Sequence, residues 1–150
     1  MKILYLVHQF FPQFQAGTEK FIFNTASMTQ QAGNIVKVVT YDCEADGDFT
    51  SDVFGVRSKQ FSYQGLPVLA FQYKNEPPDL HYTMDKALGI QFAKLILERE
   101  APDLIHVGHL MRVYPIVLAA LEMGIPYVLT LTDFHLLCPK ILLMPTSDTL

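Results

Sequence analysis

The segment 130–139, TLTDFHLLCP, places an aspartate, a histidine and a cysteine close together as Asp133, His135 and Cys138. These residue types can hold a metal ion, form a nucleophile with its base, or contact a ligand directly. A zinc site is disfavoured because neither a C-x-x-C pair nor an H-E-x-x-H helix is present. A cysteine nucleophile is disfavoured because the flanking LLCP residues are apolar, which opposes formation of a thiolate. We therefore predict no metal site and expect polar groups that contact a ligand.

Polar side chains gather where the predicted strands KILYLV, IVKVVTY, DLIHV and PYVLTL end, with Asp42 after the second of them. Ligands of open α/β sheets bind beyond the carboxyl ends of the strands. Because parallel strands end at one edge of the sheet, residues distant in the chain are predicted to converge there. The residues that we predict to converge are His8, His106, His109, Thr132, Asp133 and His135.

Three of these residues have a purely structural alternative. His106 lies inside its predicted strand and fits equally well a core histidine bonded to a backbone carbonyl. His8 fits a residue that only caps the end of a strand. Asp133 fits the N-cap of a short helix, a role that is compatible with ligand contact. The sequence leaves these alternatives open.

The elements that position these residues alternate between strand and helix. Continuous apolar, β-rich runs are typical of strands buried on both faces, and the segments between them have helical spacing. This alternation predicts one α/β domain with a doubly wound parallel sheet. The predicted strands are 2–7, 35–41, 53–63, 67–73, 103–107 and 126–131, the predicted helices are 18–33, 83–99 and 113–124, and 42–52 is a predicted loop.

The first predicted helix follows a loop that ends in Ala16-Gly17. Thr18 is the predicted N-cap, because a threonine hydroxyl can accept a hydrogen bond from a free N–H of the first turn. The N–H groups at a helix start can also hold a phosphate, and a glycine lets a ligand approach the backbone closely. The predicted buried stripe of this helix is Phe21, Ile22, Thr25, Ala26 and Met28.

Composition excludes several classes of function. The net charge is −4 and no cluster of lysine and arginine is present, so nucleic acid is not a predicted partner. The apolar run at the start is too short for a signal peptide, and no window approaches the ~20 apolar residues of a membrane span. Two cysteines far apart, Cys43 and Cys138, are typical of reduced thiols in a cytoplasmic protein.

Several segments together resemble a known family. These are the pattern H-x-F-x-P-x(4)-G-x-E at residues 8–19 and the segments APDLIHVGHL and GIPYVLTLTDFHLLCPK. They resemble the N-terminal domain of family 4 glycosyltransferases, retaining enzymes that use nucleotide sugars and have two facing Rossmann-like domains, the GT-B architecture. The resemblance covers residues 1 to about 140, and 101–140 is its specific part.

The resemblance implies a Rossmann-like fold with helices on both faces, forming the acceptor-side half of a GT-B enzyme. The implied activity is transfer of a sugar from a nucleotide-sugar donor to a glycan or lipid-linked acceptor, as in polysaccharide biosynthesis, with no further cofactor. The donor-binding C-terminal domain would lie beyond residue 150, so the isolated domain is expected to be inactive and to self-associate through exposed apolar surface. The implied location is cytoplasmic. Peripheral membrane association would follow only from a lipid-linked acceptor, since no basic amphipathic helix argues for it.

The resemblance also assigns roles to residues. Ala16, Gly17 and Thr18 occupy the glycine-rich loop near the donor diphosphate, although many members have Gly-Gly where this chain has Ala16-Gly17. The segment TLTDF resembles T-L-H-D-F, so Thr132 stands where the family has a histidine close to the transferred sugar, and Asp133 matches. These two residues and His135 are the predicted catalytic group. His8, His106, His109 and the glycine loop are the predicted substrate contacts.

A second hypothesis is a non-catalytic module that binds a nucleotide or a sugar phosphate. A lone Rossmann-like domain is sufficient for such binding. The two hypotheses differ in where nucleotide affinity resides, because the enzyme reading places it in a second domain. An epimerase or phosphorylase is a third alternative that rests on analogy of fold alone.

Overall fold

The computed structural model of the chain describes residues 1–44, 47–76, 87–134 and 136–137. Strands and helices alternate in these ranges as the sequence predicts, except between residues 35 and 73, where four strands follow one another. The elements are β1 (Lys2–Val7), α1 (Gly17–Gln31), β2 (Ile35–Tyr41), β3 (Ser51–Val53), β4 (Val56–Tyr63), β5 (Leu66–Tyr73), α2 (Ala87–Glu100), β6 (Leu104–Val107), α3 (Tyr114–Glu122) and β7 (Tyr127–Leu129).

The seven strands in the described part of the chain form one sheet in the order β3-β4-β5-β2-β1-β6-β7. From β5 to β7 all neighbours are parallel, while β3 and β4 add an antiparallel edge. The chain starts at β1 and winds outward in both directions, first to β2 and later to β6. The strand order therefore reverses between β1 and β6, which is where α/β sheets bind ligands. The doubly wound prediction is confirmed.

Helices cover both faces of the sheet. Successive side chains of a strand point to opposite faces. Tyr5 and Val7 of β1 accordingly pack in a core with the buried residues of α1, whereas Leu4 and Leu6 belong to a second core with α2 and α3. Continuous burial along β1 explains why its sequence is an unbroken apolar run rather than an alternating one.

Two predictions about α1 are wrong. Its N-cap is Ala16, in an extended conformation and without a side-chain hydrogen bond, and the Thr18 hydroxyl instead donates to Thr132. Phe21 and Met28 are 36% and 70% exposed rather than part of the buried stripe. The apolar residues that α1 buries fully are Ile22 and Ala26, so its apolar face is narrower than predicted.

Some boundaries also differ from the sequence prediction. The predicted loop 42–52 contains the start of the short strand β3, which pairs with β4 and cannot be recognised from its own polar sequence. The part of the predicted helix 83–99 that precedes Ala87 lies outside the described residues. Within the described ranges, no helix is long and apolar enough to cross a bilayer.

Candidate functional site

Three elements bring polar side chains to the point where the strand order reverses. His8 directly follows β1, His109 follows β6 by two residues, and Thr132 and Asp133 follow β7. Thr18, at the start of α1, joins this group through a hydrogen bond to Thr132. Residues that are more than a hundred positions apart in the sequence therefore meet at one edge of the sheet.

His109 and Asp133 form a hydrogen-bonded pair. The Nε2 atom of His109 lies 2.8 Å from Oδ2 of Asp133, and the backbone N–H of Met111 donates to Nδ1 of His109 at 3.1 Å. Because Nδ1 accepts this bond, the neutral imidazole carries its proton on Nε2 and donates it to the carboxylate. The His109 side chain is 3% exposed and that of Asp133 is 33% exposed. The histidine thus orients a carboxylate that faces solvent.

His8 packs against the same histidine. The two imidazole rings have centroids 4.1 Å apart and are tilted by 38°. On its other side, Nε2 of His8 lies 3.8 Å from a carboxylate oxygen of Glu19, whose side chain is fully buried. The result is a row of carboxylate, imidazole, imidazole and carboxylate running from Glu19 to Asp133.

Glu19 is a member of the site that the sequence analysis missed. An acidic residue in the first turn of a helix is common without any further role, because it interacts favourably with the helix dipole. Among the described residues, no donor lies within hydrogen-bonding distance of either of its carboxylate oxygens. A buried charge without hydrogen bonds costs free energy, so its placement beneath His8 points to a role in the site. The available signal was the glutamate at the end of the H-x-F-x-P-x(4)-G-x-E pattern.

Two threonine hydroxyls connect α1 to β6 and β7. Thr18 donates to the hydroxyl of Thr132 at 3.0 Å, and Thr132 donates to the carbonyl oxygen of Gly108 at 2.9 Å. Gly108 permits this close approach, because a Cβ at that position would lie 2.4 Å from Cδ1 of Ile22 in α1. Thr132 therefore holds the site together through its hydroxyl.

The start of α1 presents open backbone next to this row. Ala16 and Gly17 are exposed, and a Cβ added to Gly17 would meet no atom within 4 Å. The glycine is thus not required for packing inside the protein. The first N–H groups of a helix carry partial positive charge and accept an anion readily.

His106 is not brought into this group. Its Nε2 atom lies 2.8 Å from the hydroxyl of Thr130, and its ring packs near Tyr5 and Phe21 on the face covered by α1. Burial lowers the pKa of His106, so the ring is neutral at pH 7. These contacts match the structural alternative for this histidine, with a hydroxyl in place of the expected backbone carbonyl.

His135 and Cys138 lie outside the described residues. Within the described ranges, no group of three or more histidine, cysteine, aspartate or glutamate side chains could hold a metal ion. The contacts of the site described above also include no lysine or arginine. Imidazoles and carboxylates exchange hydrogen bonds with hydroxyl groups, so the site fits a ligand that carries hydroxyls rather than a phosphate.

Comparison with known proteins supports the fold. No protein-family model matches the sequence, and no curated protein matches it. Among solved structures, the chain is similar to the catalytic domain of starch synthase IV from Arabidopsis thaliana, bound to ADP and acarbose, with a TM-score of 0.57 and 15% identity. The match covers 89% of this chain and 34% of that structure, so the chain spans about a third of its length. The chain has the α/β fold of one part of a GT-B glycosyltransferase.

Proposed function

We propose that this chain is the N-terminal, acceptor-side domain of a retaining family 4 glycosyltransferase, which transfers a hexosyl group from a nucleotide sugar to a glycan or lipid-linked acceptor. The observation that carries the proposal is the partly exposed carboxylate of Asp133, oriented by buried His109 at the point where the strand order reverses. The family resemblance of segment 101–140 and the glycosyltransferase-like fold support it.

The charge of the site favours the acceptor over the donor. In the reaction, a bond forms between the acceptor oxygen and the anomeric carbon and the bond from that carbon to the diphosphate breaks. The diphosphate leaves with the electron pair and takes up the proton of the acceptor hydroxyl. The leaving group requires cations and N–H donors. The carboxylate of Asp133 would repel a diphosphate, whereas it can accept a hydrogen bond from a sugar hydroxyl. The start of α1, at Gly17 and Thr18, is the part of this domain suited to the diphosphate.

This arrangement leaves the domain incomplete as a catalyst. A second domain would supply the nucleotide-binding half-site, and closure of the two halves would position the reactants and exclude water. We therefore expect residues 1–150 alone to show no transfer. We propose catalytic roles for Thr132, Asp133 and His135, and roles in substrate binding and positioning for His8 and His109. Membrane contact would come through a lipid-linked acceptor.

The test is substitution of Asp133 in the complete natural polypeptide. Release of nucleoside diphosphate is measured with a panel of nucleotide sugars and glycan acceptors. Asp133→Asn keeps the size of the side chain but removes its charge, and activity should fall by about 10²-fold or more. Asp52→Asn is the matched control, because Asp52 lies on the exposed strand β3, where it pairs with Lys74.

Two results would overturn the proposal. One is full activity of Asp133→Asn together with full activity of the control. The other is nucleotide binding by residues 1–150 alone with a Kd tighter than roughly 10 μM, measured by calorimetry, because that affinity belongs to the second domain in an enzyme of this architecture. The second result would identify a nucleotide-binding module.

A further inference from the structure

A sizeable cavity lies away from the histidines. It has a volume of about 440 Å³ and lies at the carboxyl end of β2, between the loop that follows β1 and strand β4. The depression beside His109 and Asp133 is far smaller, at about 10 Å³. A concave, largely apolar pocket with a few convergent polar groups is typical of a small-molecule site. The neighbouring site formed by His8, His109 and Asp133, the histidine site, does not account for this cavity.

Aromatic side chains provide much of its wall. Phe10, Phe11 and Phe14 come from the loop after β1, and Phe61 comes from β4. Phe10 and Phe11 are buried in the core beneath the loop, while Phe14 is partly exposed. Flat, rigid rings bind the apolar face of a ligand with little loss of conformational entropy.

The polar groups of the cavity carry an excess of negative charge. Its lining residues include the carboxylates of Asp42, Glu44 and Asp48 and one ammonium group, that of Lys59. The Lys59 ammonium lies 2.6 Å from Asp42 and 3.7 Å from Glu44, so its charge is already neutralised. A phosphate, a nucleotide or a uronic acid would meet net repulsion here.

From these two features we infer that the cavity binds an uncharged saccharide. A sugar ring has an apolar face that stacks on aromatic rings and hydroxyl groups at its edge that donate to carboxylates, and it needs no countercharge. The volume is sufficient for roughly one or two hexose rings. A purely apolar ligand would displace water from the exposed carboxylates of Glu44 and Asp48 without replacing its hydrogen bonds.

The cavity is placed to extend the histidine site. Val7 of β1 pairs with Thr40 of β2, so His8 and the cavity residue Asp42 follow adjacent strands at the same edge of the sheet. Adjacent strands are about 4.8 Å apart, less than the length of one sugar residue. If the proposed function holds, a glycan acceptor bound in the cavity would extend past His8 toward Asp133, which follows β7, three strands from β2. Binding in the cavity itself does not depend on that function.

The inference is tested by NMR titration of the isotopically labelled chain. The probes are the methyl glycosides of glucose, galactose and mannose, with glucose 1-phosphate as the charged comparison. We expect at least one glycoside to shift the amide signals of the cavity residues, such as Asp42, Thr50 and Gln60, with a Kd in the millimolar range. Glucose 1-phosphate should bind more weakly. The signals of His106 and Thr130, at the other side of β1, should not move.

Phe14→Ala removes one aromatic ring from the wall of the cavity, and Phe14 is not part of either hydrophobic core. Glycoside binding should weaken by about 5-fold, which corresponds to the loss of about 1 kcal/mol of ring contact. Phe54→Ala is the matched control, because Phe54 is an exposed phenylalanine in the turn between β3 and β4 and does not line the cavity. The amide spectrum of each variant shows whether it is folded.

The inference is overturned if no glycoside shifts these signals at roughly 50 mM, a concentration well above the expected Kd. Tighter binding of glucose 1-phosphate, or equal weakening by both phenylalanine substitutions, would overturn it as well. Glycoside binding in the cavity by a protein that transfers no sugar would uphold this inference and contradict the proposed function. Failure of the inference and failure of the proposed function therefore give different results.

Discussion

Replacing Gly108 with alanine tests whether close contact between α1 and the end of β6 holds the site. A Cβ at this position would lie 2.4 Å from Cδ1 and 2.6 Å from Cγ1 of Ile22. Both distances are far shorter than the 3.5–4.0 Å of favourable carbon contacts, so one of the two groups must move. Ile22 is fully buried and its β-branched side chain is restricted in a helix, so it has little room to move.

The expected loss of stability follows from this overlap. Overpacking a core by a methyl group costs about 1–3 kcal/mol, and we expect Gly108→Ala to fall in that range. Gly17→Ala is the matched control, because a Cβ there meets no atom within 4 Å. Its effect should stay within about 0.5 kcal/mol. Urea denaturation followed by circular dichroism measures both changes.

A double substitution identifies the cause. Ile22→Ala removes both clashing atoms at a cost of about 2–5 kcal/mol. In that background the added methyl group at 108 should be neutral or stabilising, since it fills part of the space left by Ile22. Equal costs of Gly108→Ala in the two backgrounds would refute the steric argument, and so would a Gly108→Ala variant as stable as the parent chain.

Two further predictions concern pH. Burial raises the pKa of Glu100, but hydrogen bonds from Lys37 and Lys2 outweigh it and hold the pKa below 4.5. Glu100→Gln should therefore cost about 1–3 kcal/mol at pH 7, and the difference from the parent should disappear as the pH falls through the folded-state pKa. Denaturation at a series of acidic pH values tests this, and a constant difference would contradict it. Burial lowers the pKa of His106 below 6.5, so the folded state binds this proton less readily than the unfolded state. Stability should fall as the pH drops from about 7 toward 5, and His106→Gln, which can retain a bond to Thr130, should reduce that slope. An unchanged slope would show that His106 does not cause it.

Local sequence patterns predicted most elements of this fold. The apolar runs of β1 and β2 and the helical spacing between them are properties of short segments, and the structure confirms them. Local patterns failed where the determining contact is distant. Thr18 has the character of an N-cap, yet its hydroxyl is engaged by Thr132, more than a hundred residues later. Strand β3 is polar and forms because β4 offers a pairing edge.

The candidate site was predictable in its location and only partly in its members. His8, His109 and Asp133 were expected at one edge because parallel strands end together, and the structure places them there. Their partners could not be predicted in this way. The buried position of Glu19 beneath His8 depends on how α1 packs on the sheet, and the same sequence pattern is compatible with an ordinary first-turn carboxylate.

The sequence by itself determined the alternation of strands and helices, and with it the edge of the sheet that carries the polar groups. Only the tertiary structure decided that β1 lies between β2 and β6. It also decided that Asp133 pairs with His109 rather than His106, and that Asp42 and Lys59 line a cavity with Phe14. The physical reason is that periodicity and propensity act over a few neighbouring residues. Strand order and side-chain pairing arise from contacts between segments far apart in the chain, whose free energies no single segment contains.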